Sequence, residues 1–199
     1  LFLTATPIPR TMALSVYGDL DVSTMRELPP GRKPVKTYAV TEGMRSRIYA
    51  FMRKEIAAGH QCYVVCPLVE ESASADLQAA TALYESLKST DFADISCGLV
   101  HGRMSGKEKD EVMERFQKGD IKLLVATSVI EVGVNVPNAT IMYVDGAERF
   151  GLAQLHQLRG RVGRGAAASS CVLMFAEPLS ALARARLKVV REHTDGFEI

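Results

Sequence analysis

The sequence has no long unbroken apolar run. The longest candidate, 121–134, is interrupted by Lys122, Thr127 and Glu131, which excludes a membrane-spanning helix there. It has almost no excess charge of either sign: 24 Lys and Arg stand against 23 Asp and Glu, a net of +1. No overall field attracts a polyanion, so any contact with one must come from a local basic strip. Cysteine is scarce, with four residues at 62, 66, 97 and 171. Cys62-x-x-x-Cys66 has no second pair at metal spacing and no histidine cluster beside it, which excludes a zinc site. All four lie in or beside apolar runs and are expected to be buried, reduced thiols, as in a cytoplasmic protein. There is no internal repeat and no low-complexity segment, which excludes a solenoid. No basic segment followed by an apolar one opens the chain, and Leu1 is not a natural start, so an excised piece of a longer protein is expected.

What is present is ordinary globular material. The 199 residues are 47% apolar and 24% charged, enough for one well-buried domain and an appendage. Residues 1–3 read as the end of a strand, followed by a proline-containing turn and a helix-like stretch through Met12, Leu14 and Val16. Pro29, Pro30, Gly31 and Pro34, with Arg32 and Lys33 among them, break any regular element, as a hinge or a plain surface loop does.

From Val35 onward strands and helices alternate. Short β-branched or aromatic runs at 35–40, 62–66, 95–100, 121–126, 140–144 and 171–175 show little alternation, as expected of strands covered on both faces. Between them, apolar residues recur at three-to-four spacing. Met44, Ile48, Phe51, Met52 and Ile56 form one stripe, stopped at Gly59. Leu77, Ala80, Leu83, Tyr84 and Leu87 form the next. Ser105-Gly-Lys-Glu108 reads as a capping box opening a helix with Val112, Met113 and Phe116 inward, stopped at Gly119. Leu152, Leu155 and Leu158 mark a short helix, and Leu179, Leu182, Leu187 and Val190 a terminal one. On that last helix Arg184, Lys188 and Arg191 share a side opposite Leu182 and Leu187, either a solvated face or a DNA contact. The alternation predicts a doubly wound α/β fold with a parallel sheet and helices on both faces.

Gln157-Leu-Arg-Gly160-Arg161-Val-Gly163-Arg164 sets two guanidiniums three residues apart among glycines. Arginine is always charged, planar and rich in donors, so it suits the charge that develops on a transferring phosphoryl group. Glycines let the backbone approach a ligand closely. Alone, such a stretch is also compatible with a solvated loop or a general phosphate-contacting patch. In open parallel sheets ligands bind beyond the carboxyl ends of the strands. His101-Gly102-Arg103, Thr127-Ser128 and Glu148-Arg149 each follow a predicted strand, which points to one working edge. Taken by itself, His101 could equally be a satisfied turn residue.

Several of these stretches together resemble superfamily 2 helicases and translocases. Gln157-x-x-Gly160-Arg161-x-Gly163-Arg164 resembles motif VI, and 126–137, with Thr127, Glu131, Gly133, Asn135 and Pro137, resembles motif V. Leu99-Val-His101-Gly102-Arg103 resembles the short motif between IV and V, and Thr4-Ala5-Thr6-Pro7 resembles motif III. Thr4–Arg10, Tyr17–Asp21, Glu27–Pro34, Val65–Glu71 and Ala147–Gly151 are similar to the RecG family of branch-processing DNA helicases, so that the match runs nearly end to end. The G-x-x-x-x-G-K-[ST] phosphate loop and the acidic Mg²⁺-binding motif that these motors carry in their first lobe do not occur in this sequence.

The resemblance implies a RecA-like second helicase lobe over residues 35–178. Residues 1–28 would be the tail of the first lobe, 29–34 the interlobe linker, and 179–199 a helix leading toward a translocation element. It implies that Arg161 and Arg164 are arginine fingers and that Gln157 positions the phosphate or the attacking water. Gly133, Asn135 and Gly160 would lie at the nucleotide; Asn135 stands where related motors carry an acidic residue, so it can bond a hydroxyl but brings no charge. His101, Gly102, Arg103, Thr127 and Ser128 would touch the DNA backbone rather than base edges. Thr4 and Thr6 would couple hydrolysis to lobe movement. ATP and Mg²⁺ would be held mainly by the first lobe, no metal by this one, and the partners would be branched or forked duplex DNA and that first lobe, in a monomeric bacterial motor. The lobe of a transcription-repair coupling translocase shares the Thr4–Arg10 opening, and a non-catalytic nucleic-acid-binding α/β module is the rival from another class.

Overall fold

A computed structural model describes residues 32–67, 73–127 and 135–193. Six strands form one sheet: β1 (Lys36–Thr41), β2 (Gln61–Cys66), β3 (Cys97–Val100), β4 (Leu123–Thr127), β5 (Ala139–Val144) and β6 (Ser170–Phe175). Their order is β1-β6-β5-β2-β4-β3, and every neighbouring pair is parallel. Each parallel step needs a crossover, supplied among the described residues by α1 (Arg45–Ala57), α2 (Ala73–Ser89), α3 (Gly106–Lys118) and α4 (Leu152–Arg159); α5 (Ala181–Glu192) follows β6.

Helices cover both faces, so the central strands are buried throughout and mostly apolar. Every residue of β2, β4 and β5 is buried. Successive side chains point to opposite faces: Tyr63 and Val65 join a core with Met113 and Phe116 of α3, Leu155 and Leu158 of α4, and Leu187 and Val190 of α5. Cys62, Val64 and Cys66 join the other core, with Tyr49 and Met52 of α1 and Ala80 and Leu87 of α2. Edge strand β1 instead alternates between exposed and half-buried positions. The four thiols are free, with Cys62, Cys66 and Cys171 buried and Cys97 half-buried.

Local signals place most of these elements. Ser105 caps α3: its hydroxyl accepts from the Glu108 amide, and the Glu108 carboxylate accepts from the Ser105 amide at 2.7 Å. Gly119 ends the helix in the left-handed region, φ 87°. Strands β3 and β4 start two residues later than expected, because Ile95 is held in a turn by Phe92 and the Lys122 amide donates to the Ser96 carbonyl. Two expected core residues are outside. Phe51 is 37% exposed and Leu182 is 70% exposed. The inward stripe of α1 passes through Tyr49 and Met52, and that of α5 through Ala183, Leu187 and Val190, so each misplaced residue lies about 100° or more around its helix. Leu182 therefore shares the outer side with Arg184, Lys188 and Arg191, all exposed. Thr4, Thr6, Ser128, Glu131 and Gly133, with the segment 1–28, lie outside the described residues.

Candidate functional site

The carboxyl rim of the sheet gathers polar atoms without partners. His101 directly follows β3, and Gly102 and Arg103 beside it are exposed. Thr127 ends β4 and is buried. Glu148 lies in the 3-10 turn Ala147–Arg149 after β5. His101 Nδ1, Thr127 Oγ1 and a Glu148 carboxylate oxygen are buried with no hydrogen-bond partner among the described residues. Leaving such a group unsatisfied costs about 1–3 kcal/mol, so each needs a partner from beyond the described residues. A cleft of ≈ 220 Å³ opens there between the ends of β2 and β5, lined by Pro67, Leu83, Asp145, Glu148 and Arg149 among others. Below it Arg45 donates to the Tyr143 hydroxyl at 3.1 Å and to Asp145 at 3.2 Å, and the Tyr143 hydroxyl donates to the same carboxylate at 3.2 Å. Burial and the Asp145 charge push the Tyr143 phenol above its ordinary range.

The arginine stretch is on the opposite rim. A crossover helix returns the chain to the amino end of the next strand, and residues 160–169 lie between α4 and β6. Glycine contacts fix the position. A β-carbon on Gly163, at φ 76°, would meet the Val35 side chain at 2.6 Å, and one on Gly165 would meet the Pro137 carbonyl oxygen at 2.5 Å. Val35 precedes β1 and Pro137 precedes β5, so the loop packs across the amino ends of both strands. Asn135 is exposed on this rim, and its carbonyl accepts from Gln117 at 3.3 Å. The strand-following motifs His101-Gly102-Arg103, Thr127 and Glu148-Arg149 thus share the carboxyl rim, whereas the arginine stretch, which precedes a strand, lies at the other.

The two guanidiniums on this loop are close enough to feel each other's charge. Arg164 Nε donates to the Gly160 carbonyl at 3.2 Å. Burial, then the neighbouring Arg164 charge, lower the Arg161 pKa from its ordinary value. Tyr63 of β2 feels both cations, and its phenol is pushed up to about 12 by burial against their pull. Among the described residues no carboxylate forms an ion pair with either arginine. Two half-buried neighbouring cations repel each other, and an anion brought to the loop would relieve that repulsion. Gln157 is exposed one turn earlier, and Gly160, also exposed, ends the helix. No group of three His, Cys, Asp or Glu side chains converges as a metal site among the described residues.

Between these two arginines and the core lies a third. Arg159 is 4% exposed, and its guanidinium donates to the carbonyls of Val190 and, at 2.7 Å, His193, and to His156 Nδ1 at 2.6 Å. Arginine has no acceptor, so His156 Nδ1 accepts and its proton sits on Nε2.

The family described as the helicase conserved C-terminal domain matches residues 45–166. The chain belongs to that family. It is 54% identical over 199 residues to an ATP-dependent DNA helicase RecG from Acidithiobacillus ferridurans, covering all of this chain and 29% of that protein. The RecG of Bacillus subtilis is 51% identical over 199 residues, again all of this chain and 29% of that one. A solved structure of RecG bound to a three-way DNA junction superimposes with a TM-score of 0.82 at 46% identity, over 98% of this chain and 25% of that one. The chain therefore spans less than a third of the relatives it matches. Its parallel six-stranded sheet is RecA-like, as the motifs implied.

In this helicase C-terminal domain, Gln157, Gly160, Arg161, Arg164 and Asn135 are gathered at the amino rim, and His101, Gly102, Arg103 and Thr127 at the carboxyl rim. Motif spacing missed Arg159, Arg45 and Asp145. One signal for Arg159 was available: a charged residue flanked by the core positions Leu155, Leu158 and Val162 is forced inward.

Proposed function

We propose that this helicase C-terminal domain is the second motor lobe of an ATP-dependent DNA helicase that remodels branched DNA, such as stalled forks and Holliday junctions, in recombination and repair in the bacterial cytoplasm. Residues 35–178 form the lobe, 29–34 the linker, 1–28 the tail of the first lobe, and 179–199 the path toward a translocation element. One observation carries the reading: Arg161 and Arg164 lie together on a glycine-shaped loop with no carboxylate partner among the described residues. A triphosphate presented by the first lobe fits that surplus of donors and charge. The names of the relatives, and the three-way junction bound by one of them, support the choice of ATP and branched DNA.

ATP, when bound, supplies the phosphoanhydride whose hydrolysis drives stepping. The lobe's own residues then have distinct tasks. Arg161 and Arg164 stabilise the charge that grows on the γ-phosphoryl oxygens, and Gln157 orients the attacking water or the phosphate. Asn135, with Gly133 and Gly160, faces the nucleotide. Mg²⁺ belongs to the first lobe. At the carboxyl rim the His101, Thr127 and Ser128 side chains, the Gly102 amide and Arg103 hold phosphate oxygens without reading bases, as a motor that crosses any sequence requires. Thr4 and Thr6 couple hydrolysis to lobe movement.

The deciding experiment is replacement of Arg161 or Arg164 by Ala in the full-length enzyme. Turnover is expected to fall roughly a thousandfold with ATP affinity within about tenfold, and Lys is expected to rescue poorly. A rise in Michaelis constant with turnover unchanged would make the stretch a ground-state binding element. The isolated chain is expected to show no DNA-stimulated ATPase, and to bind DNA weakly, with affinity falling about a decade or more between low and physiological salt.

A further inference from the structure

The arginine loop begins where α4 ends, and the last residue of α4 is not free to choose its position. The final carbonyls of α5 have no partner within their own helix. At the end of α5 the His193 amide still reaches the Val189 carbonyl at 2.9 Å, but the Val190 and His193 carbonyls are taken by the Arg159 guanidinium. These oxygens carry the negative end of the α5 dipole, so they match a buried cation in charge as well as in hydrogen bonding. His156, one turn earlier on α4 and 8% exposed, holds the other side of the same guanidinium. The planar fork is thereby clamped in three directions, and the residue that carries it is directly followed by Gly160, where the loop turns toward Arg161.

We infer that Arg159 is a positioning residue that locks the Arg161–Arg164 loop to the carboxyl end of α5, so that the loop and the end of that helix move as one body. The inference rests on the proposed role of Arg161 and Arg164 and assigns them a mechanical partner. A displacement of the α5 end would either drag α4 with it or break two hydrogen bonds of a buried guanidinium, and the second is the costlier course. The position of the α5 end therefore sets the placement of the two guanidiniums at the nucleotide. Turnover depends steeply on such placement, where a shift of about 1 Å can cost about a hundredfold.

The test uses the full-length helicase with Arg159→Lys, Arg159→Met, Arg191→Pro and the Arg159→Met/Arg191→Pro double variant. Arg161→Ala serves as the reference. Arg191 is exposed, and proline there breaks the last turn of α5 without touching α4. Each single variant is expected to fold cooperatively and to keep the ATP Michaelis constant within about twofold. Turnover should fall roughly 10- to 100-fold. Lysine keeps the charge but not the fork, so it should not restore turnover. The double variant should be no slower than the worse single one, since both cut the same link. Unchanged turnover in Arg159→Lys, or losses that multiply in the double variant, would overturn the inference. If Arg161→Ala abolishes turnover while Arg159→Lys does not, the latch fails and the finger reading stands. If neither variant affects turnover, the finger reading itself is wrong and the latch falls with it.

Discussion

The two rims of the sheet solve opposite electrostatic problems. At the carboxyl rim, His101, Thr127 and Glu148 hold buried polar atoms with no partner among the described residues, a deficit of hydrogen bonding with little charge. At the amino rim, Arg161 and Arg164 hold neighbouring positive charges with no ion-pair partner among the described residues. Under the proposed function, the first rim offers hydrogen-bonding groups beside the single cation Arg103 to a phosphate backbone. The second suits a group whose negative charge rises during reaction. The difference teaches that parallel crossovers send strand-following and strand-preceding motifs to opposite ends of one sheet, where the proposed function places two different ligands.

The largest expected effect separates the rims outright. Arg161→Ala should lower ATP turnover by about a thousandfold, roughly 4 kcal/mol in activation free energy, while leaving DNA affinity and its salt dependence unchanged. Equal losses in both measurements would show that the rims are not separate sites.

The layer between the rims answers to pH. Burial pushes the Cys66 thiol up to about 12, helped by the Asp145 charge, and burial pushes Cys171 to about 12 as well. The folded state favours the neutral thiol, so this stabilisation is complete below the unfolded pKa of about 8.5 and fades as pH rises toward 12. Urea titrations one unit apart above pH 9 should show a loss of about 3 kcal/mol for the two thiols together. A stability unchanged over that interval would mean that the thiols ionise freely.

A smaller effect tests how the arginine loop is seated. Gly163→Ala combines a left-handed backbone with a β-carbon 2.6 Å from the Val35 side chain. It should destabilise the fold by about 2 kcal/mol and lower turnover without changing DNA affinity. A neutral result in urea denaturation would mean that the loop does not rest on the residues before β1.

The smallest is at the carboxyl rim. Thr127→Val removes a buried, unpartnered hydroxyl at nearly constant shape. It should raise stability by about 1 kcal/mol while weakening DNA binding about three- to tenfold, with the ATP Michaelis constant unmoved. Loss of stability instead would show that the hydroxyl is satisfied inside the fold.

Much of this was legible along the chain. All six strands lie within two residues of their apolar runs, because a strand buried on both faces writes its burial in consecutive residues. The capping box at Ser105 and the stop at Gly119 were equally local. The rim occupied by the arginines was also implicit, since any segment between a crossover helix and a parallel strand sits at the amino end. The stripes of α1 and α5 were less legible: Phe51 and Leu182 are apolar but lie off the buried arc, and periodicity tolerates an extra apolar residue beside the true stripe.

The sequence by itself determined the element types, their parallel alternation and the two arginine-bearing motifs, since each depends on spacing within a few residues. Tertiary structure alone decided the rest. Val190 and His193 lie 31 and 34 residues from Arg159 and offer it only backbone carbonyls, which every residue has, so no side-chain pattern announces the bond. The strand order that sets Tyr63 beneath Arg161 and Arg164, and the packing that buries His101 Nδ1 and Thr127 Oγ1 without partners, likewise arise only when distant segments close on one another. Local chemistry selects what a segment becomes, whereas the accounting of buried charges and hydrogen bonds is settled between segments.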